Sequence, residues 1–131
     1  MSVEVGGIEE AQVLLELYDK ISSDPVRLAF ALLHLNLSRL PGCVVEAEAH
    51  GNVSSLRVRD NGAWCYSVST AQNWLLAYIR PPEYRKGRLT HAHLLQHLPD
   101  AQDRGDEHLS VKLYSAEDAE IFFGLIQQSR G

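Results

Sequence analysis

Cysteine is scarce: Cys43 and Cys65 are the only two in a chain of 131 residues. Two cysteines do not make a disulfide framework. The strand register implied by the turns sets them on opposite faces, so free thiols and a reducing compartment are expected. No apolar run of about 18 residues occurs, which argues against a spanning helix, and residues 1–20 lack the layout of a signal peptide. The expectation is a cytoplasmic protein with no membrane contact. Catalytic signatures are missing as well. Gly6-Gly7 is too short to cradle a phosphate, and no G-x-S-x-G, Walker or dinucleotide fingerprint is present. No cofactor is expected.

What is present is an ordinary globular composition, 45% hydrophobic and 22% charged, in a length that buries a core without staples. Residues 1–131 therefore read as a single α+β domain. The net charge of −5 is unevenly placed. Residues 1–24 carry six acids and one lysine, and residues 99–131 carry seven acids and three bases. Residues 25–98 hold four acids against eight bases. Acidic ends favour a basic partner and disfavour non-specific binding to nucleic acid, while the basic middle leaves room for a phosphate contact.

Three turnarounds between Cys43 and Arg80 predict a four-stranded antiparallel meander. Gly51-Asn52 suits a two-residue type II′ turn. Pairing His50 with Val53 then sets Val45 against Val58, Ala47 against Leu56, and Glu46 against Arg57, like with like and acid with base. At Asp60-Asn61-Gly62 a two-residue turn would put Arg57 and Arg59 on the face of Trp64 and Tyr66. A three-residue loop with a bulged glycine instead pairs Val58 with Trp64 and Leu56 with Tyr66, and avoids burying arginine. That loop is the expectation. Trp74 to Arg80 is apolar up to its last residue, and pairing Ser69 with Trp74 puts Leu75, Ala77 and Ile79 on the core face.

Helical spacing of Ile8, Ala11, Leu14, Leu15, Tyr18 and Ile21 predicts a first helix over 8–21. Asp24-Pro25 opens a second over 26–40, apolar almost all round and so the central buried helix, ended by Pro41-Gly42. Residues 81–88 are too polar for core and read as a loop. Thr90 caps a short helix, 91–98, and 100–107 is an acidic loop. A fifth strand spans 108–114, and Ser115-Ala116-Glu117-Asp118 opens a final helix, 116–128. The architecture is thus α+β: a meander of about five strands, with two N-terminal helices and the C-terminal helix packed on one face.

Three groups of residues can carry function. His91, His93 and His97 have the reach of metal ligands, with Asp100, Asp103 or His108 to complete a set, but without the spacing of any zinc motif. Arg80, Arg85, Lys86 and Arg88, with Tyr84 among them, offer guanidinium forks to a phosphate or an acidic side chain. Trp74, Leu76 and Tyr78 form an apolar patch that is either covered by the 91–98 helix, the expected outcome, or open as an interface.

Small size, acidic ends and absent chemistry favour a protein-binding module. Its expected form is an inhibitor or immunity-type protein that neutralises a basic partner, such as a nuclease toxin, by occlusion. Asp100, Asp103, Asp106 and Glu107 are the expected acidic contacts, with Trp74, Tyr78, Tyr84, Arg85 and Arg88 beside them. The alternatives are a His- or metal-dependent enzyme acting on phosphodiesters through His91, His93 and His97, and a phosphate- or nucleic-acid-binding accessory protein.

Overall fold

A computed structural model describes residues 7–50 and 53–130. The Gly51-Asn52 turn lies outside the described residues. Two helices come first, α1 (Ile8–Asp19) and α2 (Asp24–Ser38). Strands β1 (Cys43–His50), β2 (Val53–Asp60), β3 (Ala63–Thr70) and β4 (Leu75–Ile79) follow, then one-turn α3 (Pro81–Tyr84) and short α4 (His91–Leu95). A hairpin of β5 (Gln102–Gly105) and β6 (His108–Leu113) leads to α5 (Ala116–Ser129). The sheet is antiparallel throughout, in the order β1-β2-β3-β4-β6-β5. It has six strands, one more than expected. The extra strand is β5, whose four residues are all exposed and so show no alternation. Asp106 and Glu107, at φ 52° and 61°, make the turn that folds β5 onto β6.

β1 and β2 pair residue for residue as the charges and methyls dictate, Glu46 with Arg57 and Val45 with Val58. The next turn corrects the expectation. Asn61 and Gly62 both have positive φ, 51° and 88°, and Asp60 pairs with Ala63, so this is a two-residue Asn-Gly turn. The register then shifts at Cys65: Arg59 pairs with Trp64, yet Val58 pairs with Tyr66 and Leu56 with Val68. One extra residue in β3 turns Trp64 out among the arginines and Tyr66 into the core, where it is fully buried. No arginine needs burying, so the objection to the short turn disappears. β3 and β4 pair Ser69 with Leu76, two residues from the expected match. A slip of two preserves faces, and Leu75, Ala77 and Ile79 are buried as expected.

The helices gather on the face formed by Leu56, Val58, Tyr66, Val68 and the buried side of β4 and β6. α2 packs against α5, and α1 runs along β1. Glu10 of α1 accepts a hydrogen bond from the Ala47 amide of β1 at 2.8 Å. Leu94 and Leu98 join this same core, so α4 does not cover Trp74, Leu76 and Tyr78, which stay half-buried on the other face.

Residues 81–88, expected as a loop, are a second correction: proline at the start makes 81–84 the single helical turn α3, and the rest stays turn. Glu83 is fully buried, and Lys86 Nζ (3.3 Å) and Arg88 Nη2 (3.2 Å) reach in to pair with it. A buried carboxylate is tolerable when it is paired in this way. Ser115 caps α5 by accepting from the Asp118 amide, and Asp118 returns the contact to the Tyr114 amide, one residue before the usual capping-box donor.

Candidate functional site

α1 and α2 are joined at Ser22 and Ser23, whose amides both donate to the Gln72 carbonyl of the β3–β4 loop. From that anchor α1 follows β1 while α2 follows α5. A groove of about 440 Å³ opens between them, lined by Leu14, Leu15, Tyr18, Phe30, His34 and Leu35. Leu15 is 61% exposed and Leu35 46%, while Leu28 at 55% and Ile8 at 78% extend the apolar strip along the two helices. The first helix is therefore apolar on two sides: Leu17 enters the core, followed just past the helix by Ile21, and Ile8 and Leu15 face out. α2 is not the wholly buried helix expected. The sequence signal for this was its all-round apolarity, which a helix needs only if both faces meet something. The acids Glu9, Glu10, Glu16 and Asp19 stand around the strip on α1, which carries no lysine or arginine. Across the groove, the Arg27 guanidinium lies 5.3 Å from the Tyr18 ring and donates to the Ile21 carbonyl.

His34 sits in this groove. Burial pushes its pKa down, and Glu10 opposes that more weakly. In the window between its folded pKa and its ordinary value near 6.5, the unfolded chain binds a proton that the folded one does not. Stability is then whole above about pH 6.5 and declines as pH falls through that window. His34→Gln should flatten this part of a stability–pH profile measured by urea unfolding. An unchanged slope would remove His34 from the account.

A second, polar cleft of about 480 Å³ lies at the far end of the sheet, between Asp60, Lys86, Arg88 and Arg130. Its cations are already engaged. Arg130 pairs with Asp60 and donates to the Pro41 carbonyl, and Lys86 and Arg88 hold Glu83. Cys43 and Cys65 are free thiols near this end, where Asp60, Glu83 and Lys86 act on both. Burial pushes both thiols up.

No family model, curated protein or solved structure matches this chain. Function has to be read from its surfaces.

The residues singled out in the sequence do not form one surface. Asp100 lies beside Tyr114, and Asp103 accepts from the Gly105 amide at 3.0 Å. Asp106 and Glu107 form the hairpin turn, so this acidic stretch is a strand and turn, not a free loop. Arg85 pairs with Glu107 and Tyr84 packs against the core. Arg88 is tied to Glu83, and Arg80 lies apart on the other sheet face, against Trp64. Trp74 has the Lys112 ammonium 4.5 Å from its ring. His91 Nε2 is bonded to the Ala101 carbonyl at 2.9 Å, and His93 and His97 meet edge to face at 5.6 Å. Among the described residues no three ligating side chains are grouped to hold a metal. None of the described helices is long and apolar enough to cross a membrane.

Proposed function

We propose that this protein is a binding module that engages a protein partner through the α1–α2 groove and performs no chemistry of its own. The occupant the groove fits is an amphipathic helix with basic flanks. One observation carries this reading: an apolar strip with Leu15 of α1 and Leu35 of α2 open to solvent, beside an α1 whose own charges are all negative. Exposed apolar strips rimmed by polar groups mark interaction sites, and an apolar helix face laid in a groove is a common way to fill one. The acidic side chains attract a basic partner and reject acidic ones. In its full form the module is an inhibitor or immunity-type protein that silences a basic enzyme, such as a nuclease toxin, by covering it. The acids of the β5–β6 hairpin would then supply further charge.

The test uses two designed peptides with the same leucine stripe, one flanked by lysine and one by glutamate. Binding is followed by titration calorimetry and by amide shifts. The lysine peptide should move resonances of α1 and α2, and should bind at least about tenfold more tightly than the glutamate peptide. Leu15→Asp should abolish the effect while leaving the fold intact, because Leu15 is mostly exposed. Shifts confined to other surfaces, or binding unaffected by Leu15→Asp, would end this reading.

A further inference from the structure

The sheet face turned away from the helices holds two cations against one ring. Arg57 on β2 and Arg80 after β4 come from the strands on either side of β3, with guanidinium carbons 4.0 and 3.4 Å from the Trp64 ring centroid. Such contacts stabilise one guanidinium by about 0.5–2 kcal/mol. A second cation beside the first adds repulsion. Both Nε atoms are buried and donate to nothing. Arg57 is at least paired through Nη2 with Glu48 at 2.6 Å. The described residues give Arg80 no carboxylate. Burial, and then the charge of Arg57, pull the Arg80 pKa down. An uncompensated, partly desolvated cation works against folding unless something outside the chain completes it.

The surroundings indicate what that is. Ser67 faces Arg57 on one side and Tyr78 on the other, and Tyr78 faces Ser110 across β4–β6. Arg104 Nε donates to the Ser110 hydroxyl at 2.8 Å, and Lys112 follows on β6. Guanidinium and hydroxyl donors thus run across the middle of the face. Its carboxylates lie at the margins: Glu46 and Glu48 on β1, each held by an arginine, and Asp100 beside Lys112 and Tyr114. Both Nε atoms are enclosed, so an incoming group meets the terminal nitrogens, and two guanidinium charges on one ring match a dianionic, many-oxygened group better than a single carboxylate.

We propose that Arg57, Arg80 and Trp64 form a phosphate-binding site on the open face of the sheet, with the Ser67 and Tyr78 hydroxyls beside it. The site is independent of the α1–α2 groove, so either can fail without the other.

The chain has two tryptophans, so Trp74→Phe leaves Trp64 as the only indole to report. Inorganic phosphate, single-stranded oligo-dT and acetate are titrated against that variant, and fluorescence is followed. A saturable response to phosphate or oligo-dT, weakened at least about tenfold by Arg80→Gln, is expected, with none to acetate. Phosphate alone responding would point to small phosphate compounds. Tighter oligo-dT binding that weakens steeply with salt would point to a nucleic-acid backbone. No saturable response to either probe, an equal response to acetate, or full binding by Arg80→Gln would overturn the proposal. Arg80→Gln should also melt no lower than its parent, because it removes an unpaired cation. A fall of several degrees would make Arg80 a structural residue and overturn the site equally.

Discussion

Replacing Lys86 and Arg88 together with alanine should destabilise the protein by about 3–5 kcal/mol, the range for stripping the partners from a buried charge. Glu83 is completely enclosed, and these two cations pair with it at 3.3 and 3.2 Å. Their own side chains are partly exposed and return to water without penalty, so the loss falls on the carboxylate. Each single replacement should cost less, because one cation remains. Adding Glu83→Leu to the double variant should recover most of the stability, since exchanging a whole buried charge cluster for apolar packing is close to neutral. Urea unfolding of the parent and these four variants measures all of this. A double variant within about 1 kcal/mol of the parent would mean that Glu83 is satisfied in some other way.

Stability should also fall steeply in alkali. Tyr66 is fully buried and its hydroxyl has no hydrogen-bond partner. Burial first, and the charge of Glu83 second, push its pKa well above the ordinary value. From about pH 10 upward the unfolded chain releases a proton that the folded protein keeps, so stability drops by about 1.4 kcal/mol per pH unit. By about pH 12 the loss reaches roughly 2–3 kcal/mol. The raised thiols of Cys43 and Cys65 begin the decline earlier, above their usual range near pH 8.5. Tyr66→Phe should remove the tyrosine part of this slope. Near neutrality it should cost little or be mildly stabilising, because the hydroxyl it deletes bonds to nothing. An equally steep alkaline decline in Tyr66→Phe, with both cysteines replaced by alanine, would refute the assignment.

The parts of this fold that could be read from sequence are those where two independent signals agreed. In β1–β2 both charge and bulk point to one register, and all of it is observed. β2–β3 departs from the expectation because alternation does not show where a bulge falls: it is expected at Gly62 and lies at Cys65. Asn61-Gly62 did mark the short turn, but the extra residue at Cys65 that makes it compatible with burial could not be counted in advance. Trp64 changed face as a result, and with it the composition of the open surface. Glu83 gives no sign of burial in the sequence, because isolated acids usually face solvent; its two cations lie three and five residues further on and reach back only once α3 has formed. The groove was half legible. Spacing marks the stripe on α1 as one, but it does not say that Ile8 and Leu15 face solvent while Leu17 meets the core.

The two margins of the sheet are closed to other chains by different means. Along β1 the helix α1 lies against the strand, and the Glu10 carboxylate occupies the Ala47 amide that an incoming strand would need. At the other margin β5 is four residues long, fully exposed, carries Asp103 and Arg104, and has an irregular register against β6. Short, charged and irregular margins resist strand addition. Among the described residues both margins are thus poor main-chain templates, which leaves recognition chiefly to side chains.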